Sequence, residues 1–105
     1  MNKIYSVDSV KIYEMSDGRW GIDADGQVSR GGYKRPALVS HSGIIDPDGD
    51  LHYDFMAEPP TGFSTQAFEN ISAHGNFGGP GTDISGLRRI VVHGAKKSAA
   101  ADFPG

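Results

Sequence analysis

Four histidines, His41, His52, His74 and His93, together with the aspartates near them, are the residues of this chain best suited to chemistry. Neutral imidazoles and carboxylates are zinc ligands, and a zinc site needs three or four of them at about 2 Å from the ion. No two of these histidines stand at the short spacing that puts both on one helix face, so a site would have to assemble across strands. His52 and Asp54 are two residues apart and share a face of any extended segment. His41 or His93 would join them from a neighbouring strand. The candidates are therefore His52, Asp54, His41 and His93. No metal and no cofactor is assigned on this pattern alone, and solvated or structurally bonded histidines are the default expectation.

Other chemistries fail on spacing. Asp46-Pro47-Asp48-Gly49-Asp50 places carboxylates at alternate positions, as a calcium loop does. The position that such a loop reserves for glycine is Leu51, and the one it reserves for a bidentate glutamate is Ala57. A turn accounts for the Asp, Pro and Gly residues instead. Asp54 and Glu58 on one strand would stand roughly 13 Å apart, too far for a carboxylate pair. The chain has no cysteine, which excludes thiol catalysis, disulfides and cysteine-ligated zinc. It also lacks a nucleophile elbow, a phosphate loop and an HExxH pair. The Gly75 to Gly81 stretch has no closing Gly-Lys-Ser/Thr. The expectation is a non-catalytic protein, with a small hydrolase or metal-binding protein using cross-strand His and Asp as the alternative.

Two loops suggest binding. Pro60-Thr61-Gly62-Phe63 and Gly75-Asn76-Phe77-Gly78-Gly79-Pro80-Gly81 each carry a phenylalanine on a Gly/Pro-rich segment. An aromatic held on a restrained loop buries a large area at low entropic cost. Pro60, Thr61, Phe63, Asn76 and Phe77 are thus the candidate contact residues. The alternative is that Phe63 and Phe77 fold inward as plugs. The Pro-Thr-Gly-Phe and Gly-Gly pieces resemble the loop motifs of chagasin-type cysteine-protease inhibitors, which are immunoglobulin-like sandwiches of this size. That resemblance implies a protease inhibitor acting through these two loops. It covers only those segments, and the spacing between them is short for the family. The family's Arg-Pro-Trp loop near the C-terminus is absent, Arg35-Pro36 coming before both segments and being followed by Ala37.

The elements that must position these residues read as strands. A length of 105 residues suits one domain, and 15 glycines with 6 prolines favour turns over long helices. Asp-Gly clusters at Ser16-Asp17-Gly18, Asp23-Ala24-Asp25-Gly26 and Asp46 to Asp50 read as hairpin turns, because Gly accepts positive φ and Asp bonds the backbone two residues on. Strands are expected over 7–15, from Trp20 onward, over 37–41, 51–57 and 87–95. In the clearest one, Leu51, Tyr53, Phe55 and Ala57 face one way while His52, Asp54, Met56 and Glu58 face the other. The 63–73 segment mixes a helical stripe with a weaker alternation and is read as a strand, followed by a Gly-rich loop over 74–85.

The expected architecture is all-β: a small antiparallel β-sandwich, immunoglobulin-like in the loose sense, of six to eight short strands. Its core draws on Val10, Ile12, Trp20, Ile22, Leu38, Leu51, Tyr53, Phe55, Ile71, Ile90 and Val92. Residues 1–95 form the domain and 96–105 a flexible tail. A formal net charge of −3 argues against nucleic acid, and no run approaches a membrane span. The chain reads as cytoplasmic, with a secreted domain lacking its signal as the alternative. The functional expectation is an interaction domain that binds a protein partner or a second copy of itself through loops or a sheet edge.

Overall fold

The computed structural model describes residues 1–62, 66–79 and 81–105; Phe63 lies outside them. Eight strands follow in order: β1 (Asn2–Lys3), β2 (Ser6–Glu14), β3 (Trp20–Val28), β4 (Lys34–Ser40), β5 (Asp50–Glu58), β6 (Glu69–Phe77), β7 (Arg89–His93) and β8 (Ala99–Asp102). Strands β1, β4, β5, β7 and β8 make a five-stranded sheet, and β2, β3 and β6 a three-stranded one. The expected all-β sandwich is the fold observed. None of the described residues forms a helix long and apolar enough to cross a membrane.

β5 is the central strand, and its alternation decides what faces where. Leu51, Tyr53, Phe55 and Ala57 are buried, and the packing partners beside and across from them are Ile90 and Val92 of β7 and Ile22, Ala24, Val28 and Ala73 of the other sheet. His52, Asp54 and Met56 are left on the outer face. A one-residue slip would bury a histidine and an aspartate in place of a phenylalanine and a tyrosine, so the register is strongly specified.

Two of the three Asp-Gly turns are where the sequence puts them. β2 and β3 pair from Glu14↔Trp20 outward around Gly18, whose φ is +86°. Between β4 and β5, Gly49 has φ +89°, and Asp46 Oδ1 accepts the N–H groups of Asp48 and Asp50 at 2.9 Å each. The third expectation is overturned: Asp23 to Gly26 runs through the middle of β3, paired to β2 on one side and β6 on the other. Gly26 is needed there for close approach, since a Cβ would stand 2.2 Å from the Ser6 carbonyl oxygen. A bulge between Val7 and Ser9 then turns both Val7 and Val10 toward the core.

Three further features depart from the sequence reading. β5 and β7 pair in parallel, because the chain between them crosses through β6 in the opposite sheet, so the five-stranded sheet is mixed. β6 begins at Glu69 and absorbs His74 to Phe77, which were expected in a loop; Gly75 is accommodated opposite Ile22, in contact range of Leu38. The segment 96–105, expected as a flexible tail, carries β8, which supplies backbone partners to the free edge of β7. Phe103 then packs edge-on against Trp20 at 4.8 Å and near Phe77 at 6.0 Å. A run of alanines has no apolar period to betray such a strand, because backbone pairing holds it.

Candidate metal centre

The outer face of the five-stranded sheet gathers three histidines from three adjacent chain segments. His41 leaves β4, and its backbone N–H donates to the His52 carbonyl at 3.0 Å. His93 stands opposite Asp54 in the parallel register of β5 and β7. Alternation sends all three side chains away from the core. Their ring centroids form a nearly equilateral triangle with sides of 5.2, 5.2 and 5.7 Å, and the planes lie within 17–19° of one another.

One nitrogen of each imidazole is held by an oxygen. His41 Nε2 lies 2.8 Å from Asp54 Oδ1, His52 Nε2 2.8 Å from Asp46 Oδ2, and His93 Nδ1 3.2 Å from Ser98 Oγ. An ionised carboxylate only accepts, so Nε2 carries the proton in His41 and His52, and their Nδ1 atoms keep a lone pair. His52 Nδ1 is 2.9 Å from His93 Nε2. The protons therefore run in one direction, from the Ser98 hydroxyl to His93, from His93 to His52 and from His52 to Asp46. Lys3 Nζ, 3.6 Å from Asp54 Oδ1, adds a cation at the margin.

Electrostatics keep the carboxylates charged and one imidazole neutral. Asp46 is held below the ordinary carboxylate range first by the Asp50 backbone N–H and then by the His52 hydrogen bond. Arg89 does the same for Asp50, donating Nε and Nη2 to its two oxygens at 3.1 and 2.8 Å. Burial pushes Asp54 up, but the His41 hydrogen bond and the charges of His41, Lys3 and His93 together bring it down. Burial pushes His93 below its ordinary value, and the neighbouring His52 and His41 charges add to that.

These directions set the pH dependence of stability. The unfolded chain takes up the His93 proton before the folded one does, so that contribution is present above about pH 6.5 and is lost as pH falls below it. The carboxylate contributions are present above about pH 3.9 and are lost as pH falls through the lower folded values. Thermal melts of metal-free protein should therefore show a first decline between about pH 7 and 5 that His93→Gln removes. A midpoint flat across that window would contradict the arrangement.

Each of the three imidazoles has an oxygen partner of the kind that orients metal-bound histidines. Metal-bound histidines typically give their other nitrogen to a carboxylate, carbonyl or water, which sets tautomer and ring angle. Asp54, Asp46 and Ser98 occupy those positions, leaving His41 Nδ1, His52 Nδ1 and His93 Nε2 for an ion. His93 would turn its proton to Nδ1 and donate it to Ser98. A second set, Asp46, Asp50 and His52, has ligand atoms within 4.8 Å of one another. Asp50 there is committed to Arg89 and Asp46 to the turn, so gripping an ion would break bonds the fold uses. The three imidazoles stand wider than that set, so half-exposed His41, hydrogen-bonded to Asp54, would have to move inward to share an ion with the other two. The Ser98–His93–His52–Asp46 chain also resembles a nucleophile with its base and orienting acid. Ser98 is exposed, however, and neither described cleft is lined by it.

All four candidates, His41, His52, Asp54 and His93, are thus brought together. Asp46 and Ser98 were not anticipated; Asp46 is legible only as a turn residue until the turn is folded back over His52. His74 is elsewhere, on the outer face of the three-stranded sheet, with Nδ1 2.7 Å from Asp23 Oδ1. The loop candidates separate. Pro60 and Thr61 line a cleft with Gly32, Lys34 and Glu58 where β5 ends, whereas Asn76 and Phe77 lie at the opposite end, where β5 begins. Asn76 is exposed, and Phe77 packs against the core. Comparison with known protein families, characterised proteins and solved structures returned no match.

Proposed function

We propose that this protein is a small non-catalytic β-sandwich that binds a divalent transition-metal ion on its outer face through His41, His52 and His93. The observation that carries the reading is the pairing of each imidazole with its own oxygen partner, Asp54, Asp46 or Ser98, in three rings whose centroids stand 5.2–5.7 Å apart. Imidazole donors suit zinc, copper and nickel over magnesium or calcium. The test is calorimetric titration of chelator-treated protein with Zn²⁺ near neutral pH. One-to-one binding that is lost on acidification, when the imidazoles take up protons, supports the reading. Heat no greater than that of a His41→Ala/His93→Ala double variant removes it.

A second reading, partner binding or self-association, has its own observation. Tyr5 and Phe68 are exposed and meet edge-to-face at 4.9 Å, at the end of the sandwich that carries Pro60 and Thr61. Light scattering should then show a dimer that Phe68→Ser converts to monomer. A wild-type monomer at high concentration would dismiss self-association.

A further inference from the structure

At the end of the sandwich where β5 begins and β6 ends, the two sheets leave a cleft of about 300 Å³. Its apolar wall is built by Ile45, Leu51, Tyr53, Phe77 and Ile84, and Arg19, Thr82 and Asp83 stand at its polar part. The size lies at the lower end of small-molecule pockets, which are typically apolar with few polar groups that orient the ligand.

Tyr53 is the unusual member of that wall. It is 7% exposed, and its hydroxyl has no hydrogen-bond partner among the described residues. Burial alone raises its phenol above the ordinary value, with no neighbouring donor or charge contributing. A buried tyrosine hydroxyl normally finds a partner, and one left without it carries the desolvation cost of a polar group. Phenylalanine would fill the same core position without that cost, and β5 already places one two residues on, at Phe55. The apolar wall it shares with Leu51, Ile45, Phe77 and Ile84 offers no side-chain acceptor, and Asn76, Thr82 and Asp83, which also line the cleft, make no hydrogen bond to it. An occupant of the cleft that Tyr53 lines can supply that partner.

We infer that this cleft binds a small, largely apolar molecule of substituted-benzene size carrying one hydrogen-bond acceptor, which the Tyr53 hydroxyl meets. The apolar wall supplies most of the affinity, and the hydroxyl selects for the acceptor. The site is independent of the histidine cluster, because Tyr53 faces inward from β5 whereas His52 and Asp54 face outward.

The test is an NMR titration of the folded protein with two probes of matched shape, acetophenone, which has a carbonyl acceptor, and ethylbenzene, which has none. Acetophenone should cause saturable amide shifts centred on Leu51, Tyr53, Phe77 and Ile84. Tyr53→Phe should weaken acetophenone by roughly two- to tenfold, the value of one hydrogen bond, and leave ethylbenzene unchanged. Ile84→Trp, which fills the cleft from its half-exposed side, should abolish binding of both. The inference is overturned by the absence of saturable acetophenone shifts or by equal acetophenone affinity in wild type and Tyr53→Phe, the result expected if water alone satisfies the hydroxyl. Binding that survives Ile84→Trp overturns it as well, since the probes then sit elsewhere.

Discussion

His52→Ala should abolish zinc binding, with a loss larger than that of any other single substitution on the outer face. His52 is the middle of the cluster: Nδ1 meets His93 and Nε2 meets Asp46. Its removal deletes one ligand, frees His93 from its only imidazole contact by hydrogen bond and leaves the Asp46 carboxylate to water. Asp46→Asn keeps the ring but weakens its orientation, and should reduce affinity by about tenfold to hundredfold, the usual cost of losing an outer partner. His52→Ala should exceed that. His74→Ala is the control, because His74 sits on the other sheet and should leave the titration unchanged. Competition against a zinc-chelating dye ranks the three variants. An unchanged affinity in His52→Ala, or a loss in His74→Ala as large, would place the metal elsewhere.

The second large effect concerns the scaffold. Phe55→Ala should destabilise the fold by about 3–5 kcal/mol, the range for emptying a fully buried aromatic site. Phe55 is the largest of the completely buried side chains, in the middle of the central strand. Domains of this size hold only about 5–15 kcal/mol in total, so the variant stands at the limit of folding. Each kcal/mol is worth roughly 4–8 °C at the midpoint, and a thermal melt should show the loss directly. Met56→Ala, one residue on and facing outward, should cost far less. Comparable losses for the two would mean that the face assignment of β5, on which both the metal cluster and the Tyr53 cleft depend, is mistaken.

That face assignment was legible without coordinates. The alternation from Leu51 to Glu58 states which residues are core and which are surface, and it put His52 and Asp54 side by side on the outside. Ser16-Asp17-Gly18 and Asp46 to Gly49 likewise announce turns, since glycine at positive φ and an aspartate bonding the following backbone are local chemistry. The limits of local reasoning appear at Asp23-Ala24-Asp25-Gly26. The same residue types there serve a paired strand, with Gly26 making room for the Ser6 carbonyl, and only the neighbouring strand reveals it.

The histidines mark the same boundary from the side of function. By itself, the sequence determined an all-β chain without cysteine, the two working turns, the faces of β5 and the short list His41, His52, Asp54 and His93. These follow from period, turn chemistry and composition, which are properties of residues near one another in the chain. Only the tertiary structure decided that β7 runs parallel beside β5 and that His41 leaves β4 directly across from His52. The same holds for the Asp46 turn folding back onto the cluster and for Ala99 to Asp102 closing the edge that brings Ser98 to His93. Those contacts join residues far apart in the chain through backbone pairing. Backbone pairing is nearly blind to side-chain identity, so no spacing in the sequence records it.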